Sequence, residues 1–301
     1  MNCLICGSVN LQTMNTIIFD FVMARIDPTF AKHKHNRVVK LCYCRDCTFA
    51  FYDYRFSEDE EHLLYRNYRD EEYQKTRETY ECWYTKKVND AINNEGVGRQ
   101  QEVIRNMLAQ VPHEPIRVAL DYGGNRGATF FDELGTEEKY VYDISGVDTI
   151  SGVVGISEDA ELRKHGYDFI MCNMVLEHLT DPNKIMKRLF QLGNSKTIYY
   201  IEVPSENPFT KANKFSVLKN LALLTNKNYS WFRLAKYYFQ QRRQPFMPMK
   251  EHINFFTPKS ISAMSENNGF SVVNIQENKY GNSDVLSILF TKVSNDCGED
   301  I

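Results

Sequence analysis

Short apolar runs alternate with helix-compatible segments along the second half of the chain. The apolar runs predict strands at 117–120, 139–144, 152–156, 167–173 and 197–203. A helix-compatible segment at 128–134 follows the first run, and helical signals at 157–165 and 183–192 separate the later ones. Strands joined by helices form right-handed crossovers, so this order predicts an α/β fold with a doubly wound, parallel sheet. Two further strands, at 270–277 and 284–293, predict an antiparallel pair at the end.

The region before this sheet is helical and heavily charged from residue 57 to about residue 110. Ser57 and Glu60 have the spacing of a capping box. Gly96 and Gly98 indicate a break before a last amphipathic helix, and two prolines then indicate a boundary. The pattern predicts a segment at 1–54, a helical region at 55–114, and a sheet domain at 115–294 that contains an insertion at 205–250.

The chain has 301 residues, of which 43% are hydrophobic and 25% charged, with a net charge of -3. A negative net charge argues against bulk nucleic-acid binding. No apolar run approaches the ~18 residues that span a bilayer, and the N-terminus lacks the basic-then-apolar layout of a signal peptide. We therefore expect a cytoplasmic protein whose eight cysteines are free thiols or metal ligands rather than disulfides.

Two Cys-x-x-Cys pairs lie in the first segment, Cys3 with Cys6 and Cys44 with Cys47. Each pair places two sulfurs on a tight turn, and two such pairs are typical of a tetrahedral zinc site with four thiolates. Four thiolates leave no open position for substrate, so the zinc is expected to be structural. Cys42 is a rival to Cys44 with a less regular spacing to Cys47.

Residues 211–250 carry nine basic side chains and no acidic ones, with aromatic residues interleaved. In a chain that is acidic overall, this block predicts either a lid over an anionic substrate or a basic face that contacts a membrane surface. The structural alternative is a solvated charged face whose aromatic residues belong to the core.

A glycine-rich turn, LDYGGNRG from Leu120 to Gly127, follows the first predicted strand. Glycine lets the backbone turn tightly and approach a ligand. The order of strand, turn and helix is typical of nucleotide sites, because N–H groups of the helix face the ligand. Asp143 ends the second strand about 20 residues later, where a carboxylate accepts hydrogen bonds from a ribose. This spacing fits a dinucleotide and S-adenosylmethionine (SAM) alike.

The run LDYGGNRG resembles the first motif of the class I SAM-dependent methyltransferases. A second run, DFIMCNMVLEHLTDP from Asp168 to Pro182, is similar to their fourth-strand signature, and the terminal antiparallel pair fits the reversed last strand of that fold. The resemblance covers roughly residues 117–293. It implies a Rossmann-like domain whose cofactor-binding residues are Asp121, Gly123, Gly124, Gly127, Asp143, Asn173 and Met174.

A cysteine-paired segment ahead of such a domain is similar to the nucleotide-sugar C-methyltransferases and related surface-polysaccharide enzymes. Their Glu-His-x-x-Tyr/Phe-Phe element resembles EHINFF, from Glu251 to Phe256, and their Gly-Gly-Ser turn resembles 281–283. By this resemblance His252 is the first candidate for the catalytic base, with Glu251 as its partner or as a ligand of a sugar hydroxyl. Asn282 replaces a glycine and the sequence lacks their additional C-terminal domain, so O-, N- and C-methylation all stay open.

His178 is the second candidate base, because it is predicted to begin the helix after the fourth strand, near the methionine end of the cofactor. A histidine suits proton removal since its pKa lies near neutrality. The sequence shows no acidic cluster beside the two histidines, which argues against metal catalysis.

The sequence therefore predicts a SAM-dependent methyltransferase of nucleotide-sugar or surface-polysaccharide biosynthesis. Its expected partners are an anionic small-molecule or glycan substrate, SAM and a structural zinc ion, with no nucleic acid. One alternative is a lipid-linked or other small-molecule acceptor, met at a membrane through residues 211–250. The other is a non-catalytic binding module built on a methyltransferase scaffold.

Overall fold

The computed structural model describes residues 1–33, 37–68, 70–81, 84–144, 147–209, 247–280 and 283–293. The basic block at 211–250, predicted to be a lid or a membrane-contact surface, lies outside the described residues except for 247–250. The first two residues of the predicted turn at 281–283 also lie outside them.

Eleven strands are found in the described residues. In chain order they are β1 (Leu11–Ile17), β2 (Val38–Cys44), β3 (Ala50–Tyr52), β4 (Val118–Tyr122), β5 (Glu138–Tyr142), β6 (Val154–Ile156), β7 (Tyr167–Asn173), β8 (Gly193–Pro204), β9 (Asn254–Phe255), β10 (Phe270–Tyr280) and β11 (Ser283–Lys292). Seven of them form the main sheet, in the order β10-β11-β8-β7-β4-β5-β6. The five strands from β6 to β8 are parallel, and β11 is antiparallel to β8 and β10. The predicted doubly wound α/β sheet with a reversed last strand is confirmed.

The direction of winding changes at β4, the central strand of the sheet. The chain passes from β4 outward to β5 and β6, and then returns to β7 on the other side of β4. Leu120 of β4 is fully buried, as expected for a parallel strand that is covered on both faces. In such sheets, ligands bind in the crevice beyond the carboxyl ends of the strands that flank this reversal. The glycine-rich turn and Asp143 both lie at this edge.

Eight α-helices are found in the same residues, with bounds α1 (Asp20–Ile26), α2 (Phe30–His33), α3 (Glu58–Tyr65), α4 (Glu71–Tyr80), α5 (Lys86–Leu108), α6 (Asp159–Leu162), α7 (Pro182–Leu192) and α8 (Pro258–Asn267). The predicted capping box begins α3: the Glu60 N–H donates to Ser57 Oγ at 3.2 Å, and the Ser57 N–H donates to Glu60 Oε2 at 3.1 Å. Within the described ranges, no helix is long and apolar enough to cross a membrane.

The N-terminal segment forms a second, four-stranded sheet in the order β1-β2-β3-β9. Its last strand, β9, comes from the sequence just after His252, so the segment shares a sheet with the part of the chain that carries the candidate base. The Phe19 N–H donates to the Met249 carbonyl, and the Met249 N–H donates to the Ile17 carbonyl, both at 2.8 Å. The division at 54 and 115 stays a prediction, but these contacts join the first segment closely to the residues beside the site.

The helix predicted at 128–134 is wrong. Residues 125–129 form turns, and the regular element that follows is a single 3-10 turn at Asp132–Leu134. The Gln101 side chain donates to the carbonyls of Ala128 and Phe130 at 3.0 Å each. Because α5 satisfies these carbonyls, the segment does not need a helix of its own to do so. The glycine-rich turn therefore has no helix N–H groups directed at it from this segment.

Two other helix predictions differ from the structure. The predicted break at Gly96 and Gly98 is wrong, because α5 continues through both residues. Each glycine costs a helix about 1 kcal/mol relative to alanine. Arg99, the residue after Gly98, donates to the buried Glu202 carboxylate at 2.7 Å, and this tertiary contact acts against that cost.

His178 lies in a turn and does not begin a helix, since α7 starts at Pro182.

Candidate active site

The glycine-rich turn after β4 is packed so closely that three of its glycines admit no side chain. Gly123 has a φ of +78°, and a Cβ there would lie 2.5 Å from the Val175 side chain. A Cβ on Gly124 would overlap the Asp121 carboxyl group. Gly127 has a φ of +77° and is similarly confined by Val141 and Val153. The three glycines thus let the backbone of the turn pack directly against neighbouring side chains at the carboxyl edge of the sheet.

Asp121 lies under this turn with an unusual environment for an acid. Its side chain is fully buried, and both carboxylate oxygens lack a hydrogen-bond partner among the described residues. Burial raises the pKa of Asp121 to about 7, although the nearby Thr129 hydroxyl acts in the opposite direction. Buried polar groups are nearly always paired in folded proteins. This carboxyl group is therefore a candidate for contact with a ligand.

Asp143 follows β5 and holds the turn from the neighbouring strand. Its Oδ2 accepts a hydrogen bond from the Asn125 N–H at 2.7 Å. Asn125 has a φ of +53°, a left-handed conformation in which asparagine is one of the better tolerated residues. Asp143, which is predicted to bind the ribose, thus lies beside the glycine-rich turn.

Asn173 and Met174 end β7, next to β4. Neither polar atom of the Asn173 amide has a hydrogen-bond partner among the described residues. Met174 has a φ of +54°, which is uncommon for a side chain with a Cβ, and its N–H donates to the Glu202 carbonyl at 2.8 Å. Strained backbone of this kind concentrates at functional sites. Both residues were predicted to bind the cofactor, and both lie at the carboxyl edge of the sheet.

His178 lies beyond β7, on the side of the site away from β5. Its Nδ1 is 3.0 Å from the Tyr65 hydroxyl and 3.2 Å from the Glu251 carbonyl oxygen. A carbonyl oxygen only accepts, so this contact places the proton of the neutral ring on Nδ1. The preceding residue, Glu177, is almost fully buried, and burial raises its pKa to about 7.

His252 packs edge-on against His178, with the ring centroids 4.7 Å apart. Its Nδ1 lies 3.3 Å from the Glu206 carboxylate, and 35% of its side chain is exposed. Burial alone would lower the pKa of His252, but the hydrogen bond and charge of Glu206, with Glu177 and Glu251, raise it to about 9. The structure therefore brings the two candidate bases together and gives His252 an acidic partner.

Glu251 is directed away from His252 and into a buried ionic cluster. Its carboxylate accepts from the Tyr73 hydroxyl and forms an ion pair with Arg77 at 2.8 Å. Arg77 also pairs with Glu81 at 2.7 Å, and Glu81 pairs with Lys250. The partner of His252 in this structure is Glu206, and Glu251 instead fixes α4 against the loop that carries His252. A role of Glu251 in catalysis stays a prediction.

The four predicted zinc ligands come together at the N-terminal end. Cys3 lies 3.5 Å from Cys47, and Cys6 lies 3.5 Å from Cys44, sulfur to sulfur. All four sulfurs lie within 4.8 Å of one another. Zinc–sulfur bonds of about 2.3 Å in a tetrahedron require sulfurs about 3.8 Å apart, so the donor set fits this ion. Cys42 is not part of the cluster.

Two residues of the candidate site were missed in the sequence. Glu177 lies inside the VLEH run, and its position beside a histidine was the available signal. Glu206 carries no local signal, because only the folded chain places it at His252. Tyr65 belongs to the charged helical region, whose tyrosines are expected either to pack on the neighbouring domain or to line a substrate mouth, and it contacts His178. Their contacts depend on the return of the chain at 247–253 and on the docking of α3.

The sequence profile of a methyltransferase-domain family matches residues 98–275 of the chain. No curated protein sequence matches it significantly. Among solved structures, magnesium protoporphyrin IX methyltransferase from Synechocystis PCC 6803 with bound SAH is similar over 76% of this chain and 99% of that one, with 14% identity and a TM-score of 0.47.

Two other solved structures are similar at the same level. One is a SAM-dependent methyltransferase from Anabaena variabilis, with 13% identity, 72% and 94% of the two chains covered, and a TM-score of 0.44. The other is an S-adenosylmethionine-dependent methyltransferase from Clostridium acetobutylicum, with 9% identity, 69% and 98% covered, and a TM-score of 0.42. Similarity at this level does not bear on the substrate.

Proposed function

The chain belongs to the methyltransferase-domain family, and we propose that it is a SAM-dependent methyltransferase that acts on a sugar or a sugar-linked group. The observation that carries this proposal is the meeting of His178, His252 and Glu206 beyond β7 and β8. Two imidazoles and a carboxylate can bind the hydroxyl groups of a polyol acceptor and remove a proton from one of them. The resemblance of Glu251-His252 to the sugar methyltransferases supports the same acceptor class.

The glycine-rich turn and its neighbours fit SAM. We expect Asp143 to bind the ribose hydroxyls. The polar atoms of Asp121 and Asn173, which have no hydrogen-bond partner among the described residues, can pair with the remaining polar groups of the cofactor. Glycine is needed at position 124, because a Cβ there would overlap the Asp121 carboxyl group. When bound, SAM supplies an already activated methyl group, so the protein has only to align the acceptor and move one proton.

His252 is our proposed base. The Glu206 carboxylate accepts from Nδ1 of its ring, which leaves Nε2 as the atom that takes the proton of the acceptor hydroxyl. Because the pKa of His252 is about 9, the ring is mostly protonated at neutral pH and becomes a base as the pH rises. His178 is held by the Tyr65 hydroxyl and the Glu251 carbonyl, an arrangement that suits a residue orienting the acceptor.

We propose that Cys3, Cys6, Cys44 and Cys47 bind a structural zinc ion. The support is the meeting of four sulfurs from two Cys-x-x-Cys pairs, at separations close to those of a tetrahedral site. A zinc ion here would tie the N-terminus to the start of β3. Since β3 pairs with β9, the ion would also stabilise the strand that follows His252.

Calorimetry and a labelled-methyl transfer screen test this function together. Purified protein should bind SAM, and Asp143→Ala should weaken that binding at least tenfold by removing the proposed ribose contact. Glu137→Gln, an exposed carboxylate on the other edge of the sheet, is the matched control and should bind normally. The transfer screen, read by mass spectrometry, covers nucleotide sugars, glycans and non-sugar nucleophiles. Methylation confined to non-sugar acceptors would refute the sugar proposal, and an absence of SAM binding would refute the cofactor site.

A further inference from the structure

A group of three metal-ligating side chains lies beside the proposed acceptor site, although the sequence alone argued against metal catalysis there. One ligand atom each of Glu177, His178 and His252 lies within 4.8 Å of the other two. Glu177 is 1% exposed, and neither of its carboxylate oxygens has a hydrogen-bond partner among the described residues. A buried carboxylate without such partners loses hydration that no hydrogen bond from the described residues replaces. A cation in contact with it would supply the missing interaction.

The two histidines are held in the way that metal-binding histidines are held. His178 Nδ1 carries its proton toward the Glu251 carbonyl, and Nε2 lies 3.8 Å from Glu177 Oε1. His252 Nδ1 faces the carboxylate of Glu206, which leaves Nε2 to bind an ion. Metal-ligating histidines usually donate their other N–H to a carboxylate or carbonyl oxygen, because this fixes the tautomer and the ring orientation. Both partners of that kind are present here.

We propose that Glu177, His178 and His252 bind a divalent first-row transition-metal ion. Two imidazoles and one carboxylate form a donor set suited to ions of the Mn²⁺ to Zn²⁺ range, whereas four thiolates select a softer ion. Bonds of about 2.1 Å require neighbouring ligand atoms to lie about 3.0 to 3.4 Å apart. The distance from His178 Nε2 to Glu177 Oε1, 3.8 Å, lies slightly above this range. Three protein ligands leave coordination positions open to an exchangeable oxygen.

The consequence for catalysis rests on the proposed function. An acceptor hydroxyl bound at an open position of the ion loses its proton to solvent more readily, because the ion lowers its pKa. The acceptor oxygen then forms a bond to the methyl carbon as the bond from that carbon to sulfur breaks, and sulfur keeps the electron pair. In the metal-bound enzyme His252 is a ligand, and in the metal-free enzyme it is itself the base.

Mn²⁺ is the suitable probe, because a four-thiolate site disfavours it and zinc already bound by the cysteines need not be removed. Titration of the full-length protein with Mn²⁺, followed by electron paramagnetic resonance of the free ion, should show one ion per chain. Glu177→Gln keeps the shape of the side chain and should weaken binding at least tenfold, and His252→Ala should do the same. Glu177→Asp should restore part of the affinity. His62→Ala removes an exposed histidine of α3 and should bind as the wild type does.

Equal Mn²⁺ binding by the wild type and Glu177→Gln, or no binding by the wild type, would overturn the metal site. The second readout is thermal: Mn²⁺ should raise the Tm of the wild type and of His62→Ala but not that of Glu177→Gln, by mass action on the folded state. Failure of the proposed function is a separate result. Mn²⁺ binding without methyl transfer to any sugar would support the metal site and refute the proposed function. Sugar methylation without Mn²⁺ binding would support the function and refute the metal site.

Discussion

Asp121→Asn is the substitution that most directly separates stability from function in this protein. Asp121 is fully buried under the glycine-rich turn, with no hydrogen-bond partner for either oxygen among the described residues. Burial raises the pKa of this carboxyl group from 3.8 to about 7. Asparagine has nearly the same shape and carries no charge. The substitution should therefore stabilise the cofactor-free protein above neutral pH while it weakens SAM binding.

The sign and size of the stability effect follow from the two pKa values. Because the folded protein holds this proton more tightly than the unfolded chain does, Asp121 lowers the free energy of unfolding as the pH rises from 3.8 to about 7. At 1.36 kcal/mol per pKa unit, the full penalty above pH 7 is roughly 4 kcal/mol. A buried asparagine amide without partners keeps a cost of about 1 to 3 kcal/mol. The net gain at pH 8 should be about 1 to 3 kcal/mol, or about 2 to 6 °C in Tm.

Thermal unfolding of both proteins at pH 5 and pH 8, with and without SAM, measures these effects. At pH 5 about 1.6 kcal/mol of this penalty is already present, because the unfolded chain is ionised there. This is close to the cost of the unpartnered asparagine amide, so the two proteins should have similar Tm values, and the advantage of the variant should emerge by pH 8. Loss of a charge-assisted contact should weaken SAM binding by about 10- to 150-fold, which reduces the rise in Tm that SAM causes. The control Glu137→Gln should show no pH-dependent difference. A variant that is less stable than the wild type at pH 8, by the same margin as at pH 5, would refute the reasoning.

Three further predictions concern the turn, the base and the cysteines. Gly124→Ala should weaken SAM binding more than tenfold in calorimetry, because its Cβ would overlap the Asp121 carboxyl group. The control Gly166→Ala, with open space around it, should bind SAM normally. Equal SAM affinities of the two variants would contradict a role of the glycine-rich turn in SAM binding. In the metal-free enzyme kcat/KM should rise with pH and reach half of its maximum at about pH 9 as His252 loses its proton, and a flat profile would exclude it as the base. Cys6→Ser should abolish the stoichiometric zinc found by elemental analysis and lower Tm by at least about 10 °C. Cys42→Ser should retain the zinc, and its loss there would contradict the proposed ligand set.

The sheet could be predicted from the sequence because its strands are buried on both faces and read as continuous apolar runs. The run at 167–173 gave β7 without error, and the reversed final pair followed from two runs separated by a short turn. The cysteine pairs and the glycine-rich turn are local motifs, in which the chemistry is carried by spacing along the chain. Such features do not depend on how distant segments pack.

Two of the errors are explained by contacts between distant segments. Helical propensity predicts a helix after the glycine-rich turn, but Gln101 takes the carbonyls of Ala128 and Phe130 from a position on another helix. Glycine content predicts a break within α5, but the contact of Arg99 with Glu202 holds that helix on the sheet. Local propensity is a weak term of about 1 kcal/mol or less per residue, and tertiary contacts outweigh it.

The partners of the buried acidic side chains locate the candidate site in the structure, and these partners could not be read from the sequence. Five acidic side chains are buried among the described residues. Glu81, Glu202 and Glu251 each have an ion pair with lysine or arginine, so their burial is explained within the protein. Asp121 and Glu177 have neither such a pair nor a hydrogen bond among these residues. A buried carboxylate without a hydrogen bond or a lysine or arginine partner is costly, and among the described residues two of them lie at one edge of the sheet, where a ligand could supply the missing interaction. Asp121 belongs to the cofactor side of the site and Glu177 to the acceptor side, and occupation of the two sides should relieve the two penalties independently.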